Sequence, residues 1–166
     1  MGTEVETLAD LLPAGPKVVC VGINPAPTSV AVGHYYQGRQ GQRFFARLVQ
    51  AGVLQPVNEG FEDDAAVAAG VGFSDLVKRP TARANEVRPD ELRHGRELLE
   101  RKLAHTGVPA LIFPFKAAAV ALVGRFDGNG WLPRQFAGCR LFVMPGPYEN
   151  RATAEATIET LGPQLA

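Results

Sequence analysis

The sequence predicts an α/β fold of three layers (α/β/α), with a mostly parallel central sheet flanked by helices. Two observations carry that prediction. Three short apolar runs, residues 17–22, 110–115 and 139–144, are rich in β-branched side chains and bounded by Gly or Pro. Such runs are the pattern of strands covered on both faces. Helical periodicity lies between them, and alternation of strand and helix builds a parallel sheet.

The elements follow in order. Residues 1–16 form a lead-in, and the first strand ends in "GINPAPTS", whose Gly, Asn and two Pro continue no strand. Residues 42–51 place Phe44, Phe45, Leu48 and Val49 on one side of a helix. A short helix spans 62–69, and "VGFSDLV" reads as a strand fragment leading into a loop. Residues 89–104 open with Pro and two acids and then repeat leucines among charges, a helix start followed by an amphipathic face. The Ala-rich segment 116–123 and the segment 152–161 complete the helices. One domain over 1–166 is expected at this length.

Composition narrows the function classes. Apolar residues make up 46%, enough for a packed core and too many for a disordered chain. Net charge is zero, from 17 basic and 17 acidic residues, so the distribution of charge matters more than its sum. Cys20 and Cys139 sit in apolar runs and read as buried thiols, too few for a four-thiolate cluster. His34, His94 and His105 have no zinc spacing. A reduced, cytoplasmic monomer without metal or cofactor and without a membrane span is the expectation.

In a doubly covered sheet, ligands gather at the carboxyl ends of the strands. There Asn24 either bonds its own backbone in a turn or presents a fixed amide to a ligand. Asp75 either caps a turn, or pairs with Lys78 or Arg79, or serves chemistry as a carboxylate. The loop "GHYYQGRQGQRFF" brings His34, Tyr35 and Tyr36 together, as satellite core or as rings that stack on a flat ligand. Arg39, Arg43, Arg47, Lys78, Arg79, Arg83, Arg88 and Arg151 lie in or beside these loops, as phosphate contacts or solvated charge. Arg93, Arg96 and Arg101 alternate with Glu91, Glu97 and Glu100 and read as surface pairs.

"GINP", then "GHYY", then "RFF" at a helix head, followed by "GVGFSDLVKRPTARANEV", "ALIFPFK" and "LFVMPGPYENR", resemble the mismatch-specific uracil-DNA and thymine-DNA glycosylase family. The resemblance covers roughly residues 17–161. It implies a uracil-DNA glycosylase-like fold and a monofunctional DNA N-glycosylase of base-excision repair. Such an enzyme flips uracil, or mispaired thymine or another damaged base, out of DNA and hydrolyses its N-glycosidic bond. Asn24 falls on the family's water-positioning asparagine and Tyr36 on its base-stacking aromatic. Gly22, Ile23, Ser29 and His34 fall in the base pocket. Gly146, Tyr148, Asn150 and Arg151, with Arg43 and Arg79, fall on the DNA-binding or intercalating side. The partner implied is double-stranded DNA with a lesion or mismatch, or single-stranded DNA.

The chain departs from the family where Ala26 replaces a glycine, where Gln42 replaces an asparagine, and where "GPYENR" replaces Asn-Pro-Ser-Gly. That last segment either wedges into DNA or merely turns to start the last helix. Asp75 stands where the family often has a neutral or basic residue, and there it can orient water or stabilise a cationic sugar. The alternatives to a uracil glycosylase are one with a shifted base preference and a non-catalytic lesion-binding module.

Overall fold

A computed structural model describes residues 2–166. Its single sheet contains β1 (Val18–Gly22), β2 (Val71–Asp75), β3 (Ala110–Phe113), β4 (Gly130–Phe136) and β5 (Cys139–Val143), in the order β2-β1-β3-β5-β4. Every pairing is parallel except β4 on β5. Helices α1 (Pro27–Val32), α2 (Arg39–Gln50), α3 (Glu62–Ala68), α6 (Arg151–Glu159) and α7 (Leu161–Leu165) belong to one face. On the other lie α4 (Pro89–Leu103) and α5 (Lys116–Val123). The architecture is the three-layer α/β/α sandwich that strand–helix alternation predicts.

Side-chain alternation explains the two layers of core. Val18 and Cys20 of β1 join Phe73, Ile112 and Phe142 beneath Phe44, Phe45 and Leu48 of α2. Val19 and Val21 face the opposite way, with Leu111, Phe113 and Leu141, against Leu99 and Leu103 of α4 and Leu122 of α5. Each such side chain contributes about 1.5–3 kcal/mol when fully buried. With both faces covered, a one-residue slip of β1 would exchange the two sets, so its register is fixed.

Three elements differ from the sequence-based expectation. The loop after β1 contains a helix, α1, because Pro27 sits in its first turn, where a missing N–H costs nothing. Gly33 closes that helix at φ 82°, its N–H donating to the carbonyls of Ser29 and Val30. Strand β4 escapes a search for apolar runs because it is an edge strand with Pro133, exposed polar residues and a register shift between Trp131 and Gln135. The last helical segment breaks at Thr160 into α6 and α7. Among the described residues no helix is long and apolar enough to cross a membrane.

The lead-in packs on the sheet. Leu11 exchanges two hydrogen bonds with Phe73, 2.9 and 2.7 Å long, and so covers the β2 edge. Asp10 fastens it: the carboxylate accepts from Ser74 Oγ at 2.8 Å and from the ammonium groups of Lys78 and Lys102. Burial raises the Asp10 pKa, but the hydrogen bonds from Lys102, Lys78 and Ser74 outweigh it and hold the group below its ordinary value. Such a carboxylate contributes stability above the unfolded pKa that is lost as pH falls through the folded one. Asp10→Asn is therefore expected to lower stability by about 2 kcal/mol at pH 7. It should also flatten the acid limb of a denaturation series; an unchanged acid limb would show that Asp10 does not hold the strap.

Candidate active site

The chain leaves β1 toward β2 and leaves β3 toward the other side of the sheet, so a crevice opens between them at their carboxyl ends. The β1–β2 pairing does not stop with the strands. Leu76 N donates to Gly22 O at 3.0 Å, Val77 N to Ile23 O at 2.8 Å, and Thr81 N to Pro25 O at 3.3 Å. Two loops that would otherwise be free are thereby laid side by side.

Asn24 is fixed by that arrangement. Its Nδ2 donates to Arg79 O at 2.9 Å and to Thr81 Oγ1 at 2.8 Å. The Thr81 hydroxyl spends its own hydrogen on Arg83 O at 2.7 Å, so it can only accept from Asn24. The amide orientation follows, and Oδ1 is left as the acceptor without a protein donor among the described residues. Asn24 is half-buried and lines a cavity of about 410 Å³, within the range of small-molecule sites.

The floor of the cavity is built around Gly22, the register partner of Asp75. A Cβ on Gly22 would lie 2.3 Å from Asp75 Oδ1 and 3.4 Å from the Tyr36 hydroxyl, so any larger residue would have to displace the Asp75 carboxylate. Asp75 is 4% exposed, and both its Oδ1 and the Tyr36 hydroxyl are buried without a hydrogen-bond partner. Burial pushes the Asp75 carboxyl up to about 7, with Lys78 pulling down and Asp10 adding to the rise. Neither expected ion pair forms, because Lys78 turns to Asp10 and Arg79 to Glu91.

Tyr36 adopts φ 56°, and its carbonyl occupies the space a Cβ on Gly41 would need, 2.0 Å away. Its ring borders the cavity, but it is also packed edge-on against Phe44 at 5.3 Å and Phe73 at 6.0 Å. Burial, then the Asp75 charge, raises the Tyr36 phenol well above its ordinary value and keeps it neutral.

Gly22, Ile23, Asn24, Ser29, Tyr36 and Asp75 thus line one cavity. Ser29 lies in α1, 3% exposed, its hydroxyl accepting from Gln37 N at 3.1 Å. Arg43, Gly146 and Tyr148 line a second, adjoining hollow of about 550 Å³. Arg47 also lines it and donates to Pro145 O, tying α2 to the exit of β5.

Four candidates fall elsewhere. His34 lies off the cavity: it stacks on Phe61 at 3.5 Å, and its Nδ1 bonds Asp63 Oδ1 at 2.8 Å. The His34–Asp63–Asp64 group is spent on this contact and on the Tyr35 and Asp64 backbone N–H groups, which Asp63 accepts. Arg79 grips Glu91 with two hydrogen bonds of 2.8 Å and donates to Glu86 O at 3.0 Å, which leaves its guanidinium committed within the fold. Glu91 is correspondingly buried rather than part of a surface pair. Asn150 caps α6, accepting from Ala152 N at 2.9 Å, and Arg151 pairs with Glu155 one turn on at 2.7 Å. The "GPYENR" segment therefore does start the last helix, while Tyr148 at its tip stays fully exposed.

Sequence reasoning missed Leu8, Gln40, Thr81 and Phe115, all lining the cavity beside Asn24. Leu8 and Thr81 carry no local signal. Phe115 did carry one: a large ring after Pro114, just past the strand's last residue, Phe113. A family model for the uracil DNA glycosylase superfamily matches residues 9–156, which includes every cavity element described except Leu8.

A raised carboxyl pKa has a testable sign. Between the unfolded value and about 7 the folded protein holds a proton that the unfolded chain has lost, so stability falls as pH rises across that window. Asp75→Asn is expected to stabilise the fold by on the order of 4 kcal/mol at pH 8 and by much less at pH 5. Melting curves at the two pH values decide it, and an equal gain at both would refute the buried charge.

Proposed function

The chain belongs to the uracil-DNA glycosylase superfamily, and from that premise we propose that its cavity takes an extrahelical uracil whose N-glycosidic bond is hydrolysed by a water held on Asn24. Membership makes it a glycosylase-type hydrolase of base excision with DNA as its partner. The observation that carries the finer reading is the fixed amide of Asn24. With both its donors spent on the backbone and on Thr81, its Oδ1 accepts a proton of water and aims the lone pair at the sugar carbon.

The bond breaks toward an anionic base and a sugar with oxocarbenium character. Backbone N–H groups of Ile23 and Tyr36 are the donors assigned to the base oxygens, where negative charge develops. Asp75 supplies the complementary charge. Once ionised, its carboxylate lies unpaired beneath the cavity in a low-dielectric setting, where it favours the cationic sugar and assists deprotonation of the water. No lysine lines this cavity, which supports simple hydrolysis over a Schiff-base route. Uracil is the principal base, with mispaired thymine and other deaminated or damaged bases as the wider class. A mispaired base flips at lower cost, which favours guanine mismatches.

A second reading, a glycosylase with shifted preference, draws on the altered last loop. Tyr148 offers an exposed ring to fill the place the base leaves, and Glu149 is held by the Asn129 amide at 2.7 Å.

Oligonucleotides with uracil opposite guanine, uracil opposite adenine, unpaired uracil, thymine opposite guanine, and hypoxanthine separate these readings by abasic-site formation. Asn24→Ala should lower single-turnover rates about 100-fold or more with little change in DNA affinity. Undiminished product from that variant would sink the mechanism, and tight binding without product from the wild type would make the chain a lesion-binding module. The wild-type rate should rise with pH through about 7 as Asp75 ionises, and Asp75→Asn should be slow and flat over the same range.

A further inference from the structure

We propose that the hollow beyond Phe115 is a second nucleotide subsite, holding the unstacked neighbour of the flipped nucleotide on the same strand. The proposal rests on the base-pocket reading of the first cavity and adds a requirement to it. The two spaces share Gln40 and Phe115 as a common wall, so their occupants are separated by one layer of side chains. A continuous strand can bridge that separation. At about 550 Å³ the second space is the larger of the two.

Its chemistry matches a nucleotide at both ends. Phe115 is 40% exposed, and its ring pairs with no other aromatic among the described residues. A ring left open to water at the lip of a cavity is a stacking platform for a base. Tyr148, fully exposed, lines the same hollow.

Arg43 and Arg47, one turn apart on α2, also line it, and neither has a carboxylate within ion-pair distance among the described residues. Burial, then the neighbouring Arg43, holds the Arg47 guanidinium below its ordinary pKa. An anion placed between the two relieves that repulsion, and the anion a nucleotide brings is its phosphate. Lys116 adds a third positive charge, 4.8 Å above the Phe126 ring. The one acid in the lining, Glu149, accepts from Asn129.

A base paired within a duplex remains in its stack and does not reach Phe115. The subsite therefore makes excision depend on the base next to the lesion, and fills most readily where that base is free to leave its stack, in single-stranded DNA or at a mismatch whose neighbour frays.

The test uses single-stranded oligonucleotides in which uracil is flanked by intact bases, or by a tetrahydrofuran abasic residue on its 5′ or its 3′ side. Abasic-site formation gives kcat/KM for wild type, and fluorescence anisotropy with Asn24→Ala gives Kd without turnover. Removing the base on one side is expected to weaken both by about tenfold. Phe115→Ala, whose exposed ring contributes little to the core, should lose a similar factor on the intact strand and then be indifferent to that neighbour. Arg43→Gln should weaken binding whatever the neighbour and shallow its salt dependence. Indifference of the wild type to both neighbours, or a full neighbour effect in a folded Phe115→Ala, overturns the proposal. Loss of all abasic product with neighbour-dependent binding intact would instead fault the base-excision reading and leave the subsite standing.

Discussion

The site depends first on the register of β1 against β2, which sets Gly22 opposite Asp75. Side chains of β1 are packed on both faces of the sheet, so that register has no freedom to slip. It places a carboxylate directly against a glycine Cα, in the space a Cβ there would need. The apolar packing that fixes the strands also withholds water from Asp75 and moves its pKa to about 7. Here the same interaction both builds the core and prepares a reactive group. The cost is borne by stability, since a buried ionised acid without a partner opposes folding above that pH.

Past the strands, backbone hydrogen bonds do what packing does within them. The ladder from Gly22 and Ile23 to Leu76 and Val77, then from Pro25 to Thr81, carries the β1–β2 register past the strand ends. Asn24 needs no proline on either side to be oriented, because Arg79 O and Thr81 Oγ1 take both of its protons. Arg79 in turn is immobilised by Glu91 at the head of α4, so its backbone carbonyl is a fixed acceptor and its side chain is held against the fold. The arginine serves the asparagine through its main chain.

These dependencies explain what was legible in the sequence. Strands buried on both faces must be short apolar runs, so β1, β3 and β5 declare themselves, and the strand-end rule then points to Gly22, Asn24 and Asp75. Strand β4 has one open edge and a proline, hence no such run. Pro27 looks alike in a stiff loop and in a first helical turn, and only the helix that follows distinguishes them. His34 and Arg79 stand in the right loops, but their partners Asp63 and Glu91 are chosen by tertiary packing that spacing does not encode. Asn150 and Arg151 did carry local signals of the helix start they form, a cap residue and an acid four positions on. Phe115 was hidden by its own hydrophobicity, since an apolar residue next to a strand reads as part of it.

The zero net charge of the chain looks unsuited to a polyanionic partner until its charges are sorted by what they touch. Asp10 pairs with Lys78 and Lys102, Glu91 with Arg79, and Glu155 with Arg151. Asp75 is buried and accepts a proton near neutrality. The cations that line the two hollows, Arg39, Arg43, Arg47 and Lys116, have no acidic partner within ion-pair distance among the described residues. These four cations gather at the mouth of the crevice, above a floor whose acid, Asp75, is shielded by burial, with Glu149 the one acid in the lining of the larger hollow. A strand approaching that face meets local attraction. A chain of zero net charge can thus still present a local cationic face to a polyanion.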